Sequence, residues 1–508
     1  MAARRGEQGP SDKAVMAIAR RGKSFFAEPL FHRGEQIPLS RGRVKVDDGA
    51  IALCRVDRNG AQPVEALGRA DRARDVVAAL VADRGLTPDF PKRLENEARS
   101  AAEAVRADPG KRVDLTEEPT FTVDPKTARD FDDAVSARRE GDGCRLWIHI
   151  ADVSAHVRPD SGLDREARER ANSTYVPGLV SPMLPRALSD EACSLVPGVD
   201  RFAVTGEFVL SGAGEVTSAS FYRSVIRSDA RLDYDGLDQI FSGRELAPEH
   251  VADAVAIARR AAQLLAERSR AASLVVTSAE PEFEFSDDGN VVAAHVVPQT
   301  ESHTLIEKLM VMTNEQVALL TERRGVPSLY RVHEQPDASR VEFMISQLDD
   351  LDVPTPPLPE NMSPSEAGAF AAEASALVAA EAKRRGYGAA SLSSLVLRAM
   401  KPARYDEQNL GHAGLGITAY SHFTSPIRRY PDLIAHRALL SIVGGGEEAH
   451  PDGAQRTLAV ASRRRSGPTI RKRARSAAAL AEIATRAIRP RRVSIRPLPP
   501  RTAGNRET

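Results

Sequence analysis

Apolar and polar residues alternate over short stretches near the start of the chain, and a helical period follows. Residues 42–68 combine Val, Ile and Leu alternations with the turn sequences DDG and RNG, a pattern typical of antiparallel strands. We therefore predict a basic N-terminus and a small antiparallel β-barrel within residues 1–70. Residues 71–106 place Ala, Glu, Arg and Leu at helical spacing, which predicts a helical connector over residues 71–115.

Strand patterns open the main domain, which we predict over residues 116–445. The segment TFTVD alternates apolar and polar residues, which predicts a half-buried strand that ends at Asp124. Residues 134–138 and 144–150 are predicted to form a hairpin, because the turn sequence GDG separates them.

Helical patterns dominate the later part of the chain. Three segments have a helical period, namely residues 302–325, 366–385 and 430–443. Gly325 is a natural stop for the first helix, and Pro431 lies in the first turn of the last one. The Pro-rich residues 350–365 are predicted to form a loop.

Composition narrows the class of protein. At 508 residues, the chain is long enough for two or three domains with apolar cores. Only three cysteines occur, without CxxC spacing, so the sequence signals neither a disulfide framework nor a zinc site. No apolar stretch has the length of a membrane span or of a signal peptide. We therefore expect a soluble, cytoplasmic protein with no membrane partner and no disulfide partner.

The net charge of zero hides an asymmetry between the two parts of the chain. Residues 456–508 hold 15 Lys and Arg against 2 Asp and Glu, a balance of +13. The whole chain has 70 basic and 70 acidic residues, so residues 1–455 hold 55 basic and 68 acidic residues, a net charge of −13. We expect a basic, flexible tail over residues 446–508. Contact with a polyanion and simple solvation of the tail both stay open.

A cluster of carboxylates is the first candidate for chemistry. Four aspartates fall within ten positions of the segment TVDPKTARDFDDAV, namely Asp124, Asp130, Asp132 and Asp133. Carboxylates this close cannot all stay ionised in a partly dry site unless a cation offsets their charge. Oxygen ligands without His or Cys favour Mg²⁺ or Mn²⁺, and such a site suits phosphoryl-transfer chemistry.

A calcium loop and a solvated acidic turn are the alternatives to this metal site. An EF-hand loop needs Gly at its sixth position, but that position is Arg129 when counted from Asp124 and Val135 when counted from Asp130. The calcium loop is therefore excluded. A solvated acidic turn stays open, although the flanking strands argue against it.

A second cluster lies in the segment SHFTSPIRRYPDLIAHR. Ser425 and Pro426 resemble a helix or turn start, and Arg428 and Arg429 follow on the same bend. Exposed backbone N–H groups and two guanidinium groups in one bend are suited to bind a phosphate oxygen. The alternative is that an arginine pairs with a carboxylate and only stabilises the fold. This interpretation is easier to accept for one of the two arginines than for both.

With both clusters in hand, the chain resembles the ribonuclease II and R family of exoribonucleases, which have an RNB catalytic domain. The two segments above resemble the aspartate and arginine signatures of that family, and YVPGLVSPMLPRALSDEACSL and LIEKLMVMTNE fall between them in the family order. The resemblance runs from about residue 70 to about residue 443. It implies an α+β fold, an RNB-type domain with a central β-sheet and surrounding helices, preceded by an OB-like or cold-shock-like barrel.

The resemblance also implies a reaction, namely Mg²⁺-dependent hydrolysis of single-stranded RNA from the 3′ end to nucleoside 5′-monophosphates. Mn²⁺ is an expected substitute, and protein partners stay unknown. The four aspartates would bind metal and organise water, with Asp124 and Asp133 as the expected direct ligands and Asp132 the residue most needed for hydrolysis.

The resemblance further implies four residues that bind RNA. Arg428 and Arg429 would hold the phosphates around the scissile bond. Tyr175 would stack on the terminal bases, and Glu307 would lie near the 3′ end. Packing in a Pro-rich loop is the alternative for Tyr175, and a plain surface carboxylate is the alternative for Glu307.

The chain departs from the family pattern at both ends. Family members usually carry two barrels before the catalytic domain and one after it, whereas this sequence has room for one small barrel and shows no strand pattern past residue 445. We therefore expect the C-terminal RNA-binding barrel to be missing. An RNA-binding protein that retains the RNB fold with weak or no hydrolysis is the alternative function. Endonucleolytic or DNA-directed cleavage is a third possibility.

Overall fold

The computed structural model describes residues 13–443, apart from residues 109, 271, 276–279, 287 and 360. The basic tail expected over residues 446–508 lies outside the described residues.

The predicted small barrel is present at the N-terminus. Its five strands are β1 (Lys13–Arg21), β2 (Ser24–Pro29), β3 (Ile37–Pro38), β4 (Ala50–Asp57) and β5 (Gly60–Arg69). They form one antiparallel sheet in the order β3-β2-β1-β4-β5. A bridge between Leu39 and Ala61 links the chain after β3 to β5, so the two edges of the curved sheet meet. Two helices follow as predicted, α1 (Ala73–Asp83) and α2 (Lys92–Ala107).

The main domain is built on a mixed seven-stranded sheet. Its strands are β6 (Val113–Leu115), β7 (Thr120–Asp124), β8 (Asp133–Glu140), β9 (Gly143–Ala151), β12 (Asp200–Leu210), β13 (Val216–Arg227) and β14 (Ala230–Asp233). The order across the sheet is β14-β7-β8-β9-β12-β13-β6. Only the two edge strands, β14 and β6, run parallel to their neighbours. The predicted hairpin is therefore β8 and β9, at the centre of the sheet.

Helices cover both faces of this sheet. The helices of the domain are α3 (Val153–His156), α4 (Gly162–Arg170), α5 (Tyr234–Phe241), α6 (Ala252–Ser269), α7 (Glu301–Arg323) and α11 (Tyr430–Val443). Phe121, Val135 and Ile148 face α6 and α7 in one apolar core. Ala134 and Ala151 face α2, α4 and α11 in a second core. Helices α7 and α11 match the predicted segments, and Gly325 has the left-handed φ of 63° expected just past the end of α7.

One detail of the sheet differs from the prediction. TFTVD was expected to be half-buried, but all four residues before Asp124 are buried, and Thr122 is 1% exposed. The reason is that the polar face of β7 lies under protein rather than water. The alternation of apolar and polar residues in β7 therefore does not correspond to a solvent-exposed face.

The remaining elements form smaller units. Helices α8 (Ala338–Asp349), α9 (Pro364–Arg385) and α10 (Ala389–Ala399) pack together around a core of their own. The predicted Pro-rich loop connects α8 to α9. Three short ladders complete the fold, namely β10 (Thr174–Val176) with β11 (Leu179–Ser181), β15 (Glu280–Phe285) with β16 (Val291–Val297), and β17 (Tyr330–Val332) with β18 (Arg404–Asp406).

Two expectations from composition concerned disulfide bonds and membrane-spanning helices. Cys54, Cys144 and Cys193 are all free thiols and all buried. Within the described part of the chain, no helix combines the length and apolar content needed to cross a membrane.

Candidate active site

The four aspartates lie where strand β7 gives way to strand β8. Asp124 is the last residue of β7 and Asp133 is the first residue of β8. The residues between these strands, 125–132, are called the aspartate loop below, and they carry Asp130 and Asp132. All four carboxylates are therefore presented at one end of two adjacent strands.

Asp132 joins the aspartate signature to the arginine signature, almost 300 positions away. Its Oδ1 accepts a hydrogen bond from the backbone N–H of Ile427 at 2.8 Å, and its Oδ2 accepts one from Nε of Arg428 at 3.1 Å. The Asp132 side chain is 3% exposed, whereas that of Arg428 is 44% exposed. Arg428 also donates from Nη2 to the Ser425 hydroxyl at 3.0 Å, so its guanidinium is fixed at two nitrogens while the side chain stays half-exposed.

Asp124 and Asp133 form a closely coupled pair beside Asp132. Burial raises the pKa of Asp124 to about 8, and the charges of Asp133 and Asp132 act in the same direction. Burial also raises the pKa of Asp133, to about 6, although the two arginines oppose the shift. Burial raises the pKa of Asp132 to about 8, against the charge of Arg428. The site therefore holds protons near neutral pH unless a cation replaces them.

The hydrogen bonds decide which carboxylates are available to a cation. Both oxygens of Asp132 are occupied, and Asp130 Oδ2 accepts a hydrogen bond from the Tyr175 hydroxyl. Asp124 Oδ2, by contrast, is buried without a hydrogen-bond partner. Asp133 accepts no side-chain hydrogen bond from the described residues. Asp124 and Asp133 are therefore the two carboxylates of the four that accept no hydrogen bond from the described residues.

A hard divalent cation fits this pair. Mg²⁺ usually takes one or two protein carboxylates and completes its shell with water and phosphate oxygens. Among the described residues, no group of three or more His, Cys, Asp or Glu side chains is arranged to enclose a metal. Two ligands, Asp124 and Asp133, agree with this finding, while metal binding by all four aspartates stays a prediction.

Arg429 pairs with a carboxylate outside the aspartate cluster, that of Asp432. Its Nη2 donates to Oδ1 of Asp432 at 2.7 Å, and the Asp432 side chain is fully buried. The same oxygen accepts the backbone N–H of Ser425 at 2.8 Å. Arg429 thus makes the bracing Arg–carboxylate pair that the sequence left open, and its contact with phosphate stays a prediction.

Tyr175 lies at the mouth of the site. It belongs to strand β10, it is 50% exposed, and its hydroxyl donates to Asp130. Burial of the rest of the side chain, together with the charge of Asp130, raises the pKa of the Tyr175 hydroxyl. An exposed ring with a fixed hydroxyl is available for stacking, although the stacking role itself stays a prediction.

A strained turn brings Tyr175 to this position. Ala171 follows helix α4 with φ 64° and ψ −36°, and the N–H of Asn172 donates to the carbonyl of Arg170 at 2.8 Å. These values describe a γ-turn of the strained type. The chain then pairs with the arginine segment, because Ser173 N–H donates to the Arg428 carbonyl at 2.9 Å and Asn172 bridges Arg429.

A buried ion pair joins helix α4, which precedes the Tyr175 segment, to helix α11, which follows the arginine segment. Arg437 of α11 donates to Oδ1 of Asp164 of α4 at 2.8 Å, and both side chains are under 5% exposed. The hydroxyl of Tyr430 donates to the same oxygen at 3.0 Å. Helices α4 and α11 are thereby joined next to the segments that carry Tyr175 and Arg428.

Glu307 lies on helix α7. Its side chain is 44% exposed and pairs with Lys308 at 3.0 Å. One turn earlier, the ring of His303 stacks on Tyr234 with 4.0 Å between ring centroids and 8° between ring planes. The exposed position agrees with either role of Glu307, so its place near the RNA end stays a prediction.

Tyr234 is a site residue that sequence reasoning missed. Burial raises the pKa of its hydroxyl, and the negative charges of Asp133 and Asp124 act in the same direction. Strand β14 runs parallel to β7 with Asp233 opposite Asp124, and Tyr234 comes directly after it. This pairing over a long sequence separation has no local signal in the sequence.

The comparisons with known proteins agree with this geometry. Residues 112–445 match the sequence pattern of the RNB domain family. This chain belongs to the RNB family. Ribonuclease R of Vibrio parahaemolyticus is 36% identical over 374 residues, which cover 72% of this chain and 43% of that relative. The resemblance to the ribonuclease II and R family is thereby confirmed, as is the predicted α+β fold with its barrel.

Solved structures show the same RNB fold. Mycoplasma genitalium RNase R in complex with double-stranded RNA matches with a TM-score of 0.80 at 23% identity, over 96% of this chain and 84% of that one. Yeast Ssd1, described as a pseudonuclease, matches with a TM-score of 0.62 at 17% identity, over 95% of this chain and 59% of that one. The present chain spans less than half the length of the Vibrio ribonuclease R, so its activity is argued from its own site.

Proposed function

We propose that this RNB protein is a Mg²⁺-dependent 3′-to-5′ exoribonuclease that hydrolyses single-stranded RNA to nucleoside 5′-monophosphates. The observation that carries the proposal is the meeting of the Asp124–Asp133 pair with the half-exposed guanidinium of Arg428. Free carboxylate oxygens for a cation and a fixed guanidinium for a phosphate are what phosphodiester hydrolysis requires. The family membership and the identity with ribonuclease R support the same reaction.

The domain organisation is part of this proposal. We propose a basic N-terminus and barrel over residues 1–70, a connector over 71–115, the RNB catalytic domain over 116–445 and a basic tail over 446–508. We also propose cytoplasmic localisation, since the free buried thiols suit a reducing compartment.

The residues of the site have distinct tasks in the proposed reaction. Mg²⁺, when bound, polarises the phosphorus centre and lowers the pKa of an attacking water. Asp124 and Asp133 would hold the cation through their free oxygens. Arg428 would bind a non-bridging phosphate oxygen, and Asp132 would hold the guanidinium in the orientation that this contact needs.

The depth of the site supports attack from a chain end. Asp132 is 3% exposed, and Oδ2 of Asp124 is closed off from solvent. We infer that a strand lying flat across the surface does not reach carboxylates at that depth, and that only a chain end does. Tyr175, half-exposed beside Asp130, would stack on a base near that terminus, a contact that tolerates any sequence.

The test is hydrolysis of end-labelled single-stranded RNA by the full-length protein. We expect release of mononucleotides with Mg²⁺ or Mn²⁺ and none with a chelator. Asp132→Asn should lower kcat by about 10²–10³-fold, because an amide has one acceptor oxygen and cannot accept from both Ile427 N–H and Arg428 Nε, so Arg428 loses its fixed orientation. Glu215→Gln is the control, since Glu215 is 60% exposed and its ion pair is with the exposed Arg268, outside the aspartate loop.

Three results would contradict the proposal in different ways. Equal activity of Asp132→Asn and wild type would refute the assigned site. Salt-sensitive RNA binding without mononucleotide release under any metal would favour the alternative, an RNA-binding protein that retains the fold without turnover. Internal fragments, or cleavage of a deoxy strand, would point to endonucleolytic or DNA-directed activity.

A further inference from the structure

The aspartate loop has little backbone support of its own. Strands β7 and β8 pair only at Thr120 with Ser136 and at Phe121 with Val135, so their ladder stops before the aspartates begin. Within the loop, one backbone hydrogen bond, from Ala128 N–H to the Pro125 carbonyl at 2.9 Å, closes a local turn. Only at its far end do the carbonyls of Phe131 and Asp132 accept backbone N–H groups, from Leu195 at 3.0 Å and from Ala151 at 2.9 Å. The stretch from Pro125 to Asp130 therefore depends for its position on side chains outside the loop.

Arg231 holds the first half of the loop. Its Nη2 lies 3.2 Å from the carbonyl oxygen of Pro125, 2.8 Å from that of Lys126 and 3.4 Å from that of Ala128. Its guanidinium also lies over the ring of Phe131, 4.8 Å from the centroid. Arg231 belongs to strand β14, which runs beside β7, so these contacts attach the loop to the edge of the sheet.

Ser194 holds the second half of the loop. Its hydroxyl donates to the carbonyl of Arg129 at 2.7 Å and accepts the N–H of Phe131 at 3.0 Å. These two groups lie on either side of Asp130 in the chain. Ser194 is fully buried, so water cannot replace either hydrogen bond at that point.

We propose that Arg231 and Ser194 are positioning residues that fix the aspartate loop. This loop carries Asp130 and Asp132 and joins Asp124, at the end of β7, to Asp133, at the start of β8, so its position sets the geometry of the cation site. Neither side chain is bonded to a carboxylate of the described residues, and each acts through the backbone of the loop. Arg231 holds carbonyls between Asp124 and Asp130, and Ser194 holds the groups on either side of Asp130. The inference rests on the proposed function only where RNA hydrolysis is measured, because cation binding can be measured without turnover.

The surroundings of Arg231 allow a specific test. Arg231 lines a cavity of about 460 Å³ together with Arg129 and Arg186, and this cavity lies behind the aspartate loop. Arg186 makes no ion pair or side-chain hydrogen bond within the described residues and does not contact the loop carbonyls. Removal of the Arg231 side chain would enlarge a space that a free guanidinium ion can enter from solvent.

The experiment measures Mn²⁺ binding to the full-length protein by electron paramagnetic resonance, alongside the Mg²⁺ dependence of RNA hydrolysis. For Arg231→Ala we expect Mn²⁺ affinity to fall about 10–100-fold, the usual effect of losing a group that orients metal ligands. The half-saturating Mg²⁺ concentration should rise in parallel, while KM for RNA stays unchanged at saturating Mg²⁺. Guanidinium chloride below denaturing concentration should restore both, and NaCl at equal ionic strength should not.

Two further variants separate positioning from folding. Arg186→Ala, in the same cavity, should bind Mn²⁺ like wild type. Ser194→Ala should weaken Mn²⁺ binding as Arg231→Ala does. The double variant should lose less than the product of the two single effects, because both residues hold one loop.

The outcomes are distinct. Wild-type Mn²⁺ affinity in both Arg231→Ala and Ser194→Ala, with only a lower Tm, would overturn the proposal. If Arg231→Ala does not fold, Ser194→Ala and Arg231→Lys provide the same measurement. If the wild type releases no mononucleotides but Arg231→Ala still weakens Mn²⁺ binding, the positioning role stands and the proposed function fails.

Discussion

Replacement of Asp124 by Asn should make the protein more stable in the absence of cation. Asp124 is half-buried beside Asp133, its Oδ2 is buried without a hydrogen-bond partner, and desolvation raises its pKa from 3.8 to about 8. The folded protein therefore keeps a proton that the unfolded chain releases at a much lower pH. As pH rises from about 4 through about 8, the stability of the cation-free wild type falls, and Asp124→Asn removes this loss.

The magnitude follows from the size of the pKa shift. A shift of about four pKa units at about 1.4 kcal/mol each gives a ceiling of about 6 kcal/mol above pH 8. Coupling to Asp133 reduces this ceiling, and the new amide, with its own unmet hydrogen bonds, costs about 1–3 kcal/mol. We expect a net gain of about 1–3 kcal/mol at pH 8, or a rise in Tm of several degrees.

Thermal unfolding of the wild type and of Asp124→Asn at pH 6 and pH 8, each with and without Mg²⁺, measures this effect. Mg²⁺ should stabilise the wild type and leave the variant unchanged. Glu215→Gln, which removes an exposed carboxylate outside the aspartate loop, should behave like wild type. A variant less stable than wild type at pH 8 and equally stabilised by Mg²⁺ would refute the reasoning.

The same contacts lead to three more predictions. The half-saturating Mg²⁺ concentration for RNA hydrolysis should fall as pH rises from 6 to 8. Protons compete with the cation for Asp124 and Asp133, whose pKa values are raised into that range. A half-saturating concentration that does not change with pH would argue against this competition. Tyr175→Ala should raise KM for RNA by about 5–100-fold through loss of stacking worth about 1–3 kcal/mol, whereas Tyr175→Phe should keep KM and lose only the bond to Asp130; equal KM for both variants would exclude stacking. In a urea titration, Arg437→Met should lower the free energy of unfolding by about 3–5 kcal/mol, because it leaves Asp164 buried and charged. Arg268→Met, which removes the exposed Arg268–Glu215 pair, should lower it by under about 1 kcal/mol in the same titration.

Local patterns predicted much of the fold. Strand β7, the β8–β9 hairpin and helices α7, α9 and α11 each have a period or a stop residue within a dozen positions. Burial of the second face of β7 was not predictable in this way, because it depends on helices that come from distant parts of the chain. The parallel edge strand β14 has the same origin, since its partner β7 lies over 100 positions earlier.

The candidate site was predictable in its residue types but not in its pairings. The spacing of the aspartates indicated a shared cation, and the bend of the arginine segment indicated an anion. The sequence did not reveal that Asp132 fixes Arg428 or that Arg429 turns to Asp432, since two adjacent arginines look alike until the chain is folded. Tyr234, Arg231 and Ser194 act through side-chain directions and long-range pairing, for which one sequence carries no signal.

Proton release on Mg²⁺ binding tests the central claim most directly, namely that a divalent cation offsets the buried carboxylates. Isothermal titration calorimetry at pH 7, in buffers with different ionisation enthalpies, counts the protons released when Mg²⁺ binds to the full-length protein. We predict saturable binding with release of about one proton in the wild type, because the pKa of Asp124 lies above that pH, and loss of both binding and release in Asp124→Asn. Saturable binding without proton release, or equal release in the variant, would contradict the account.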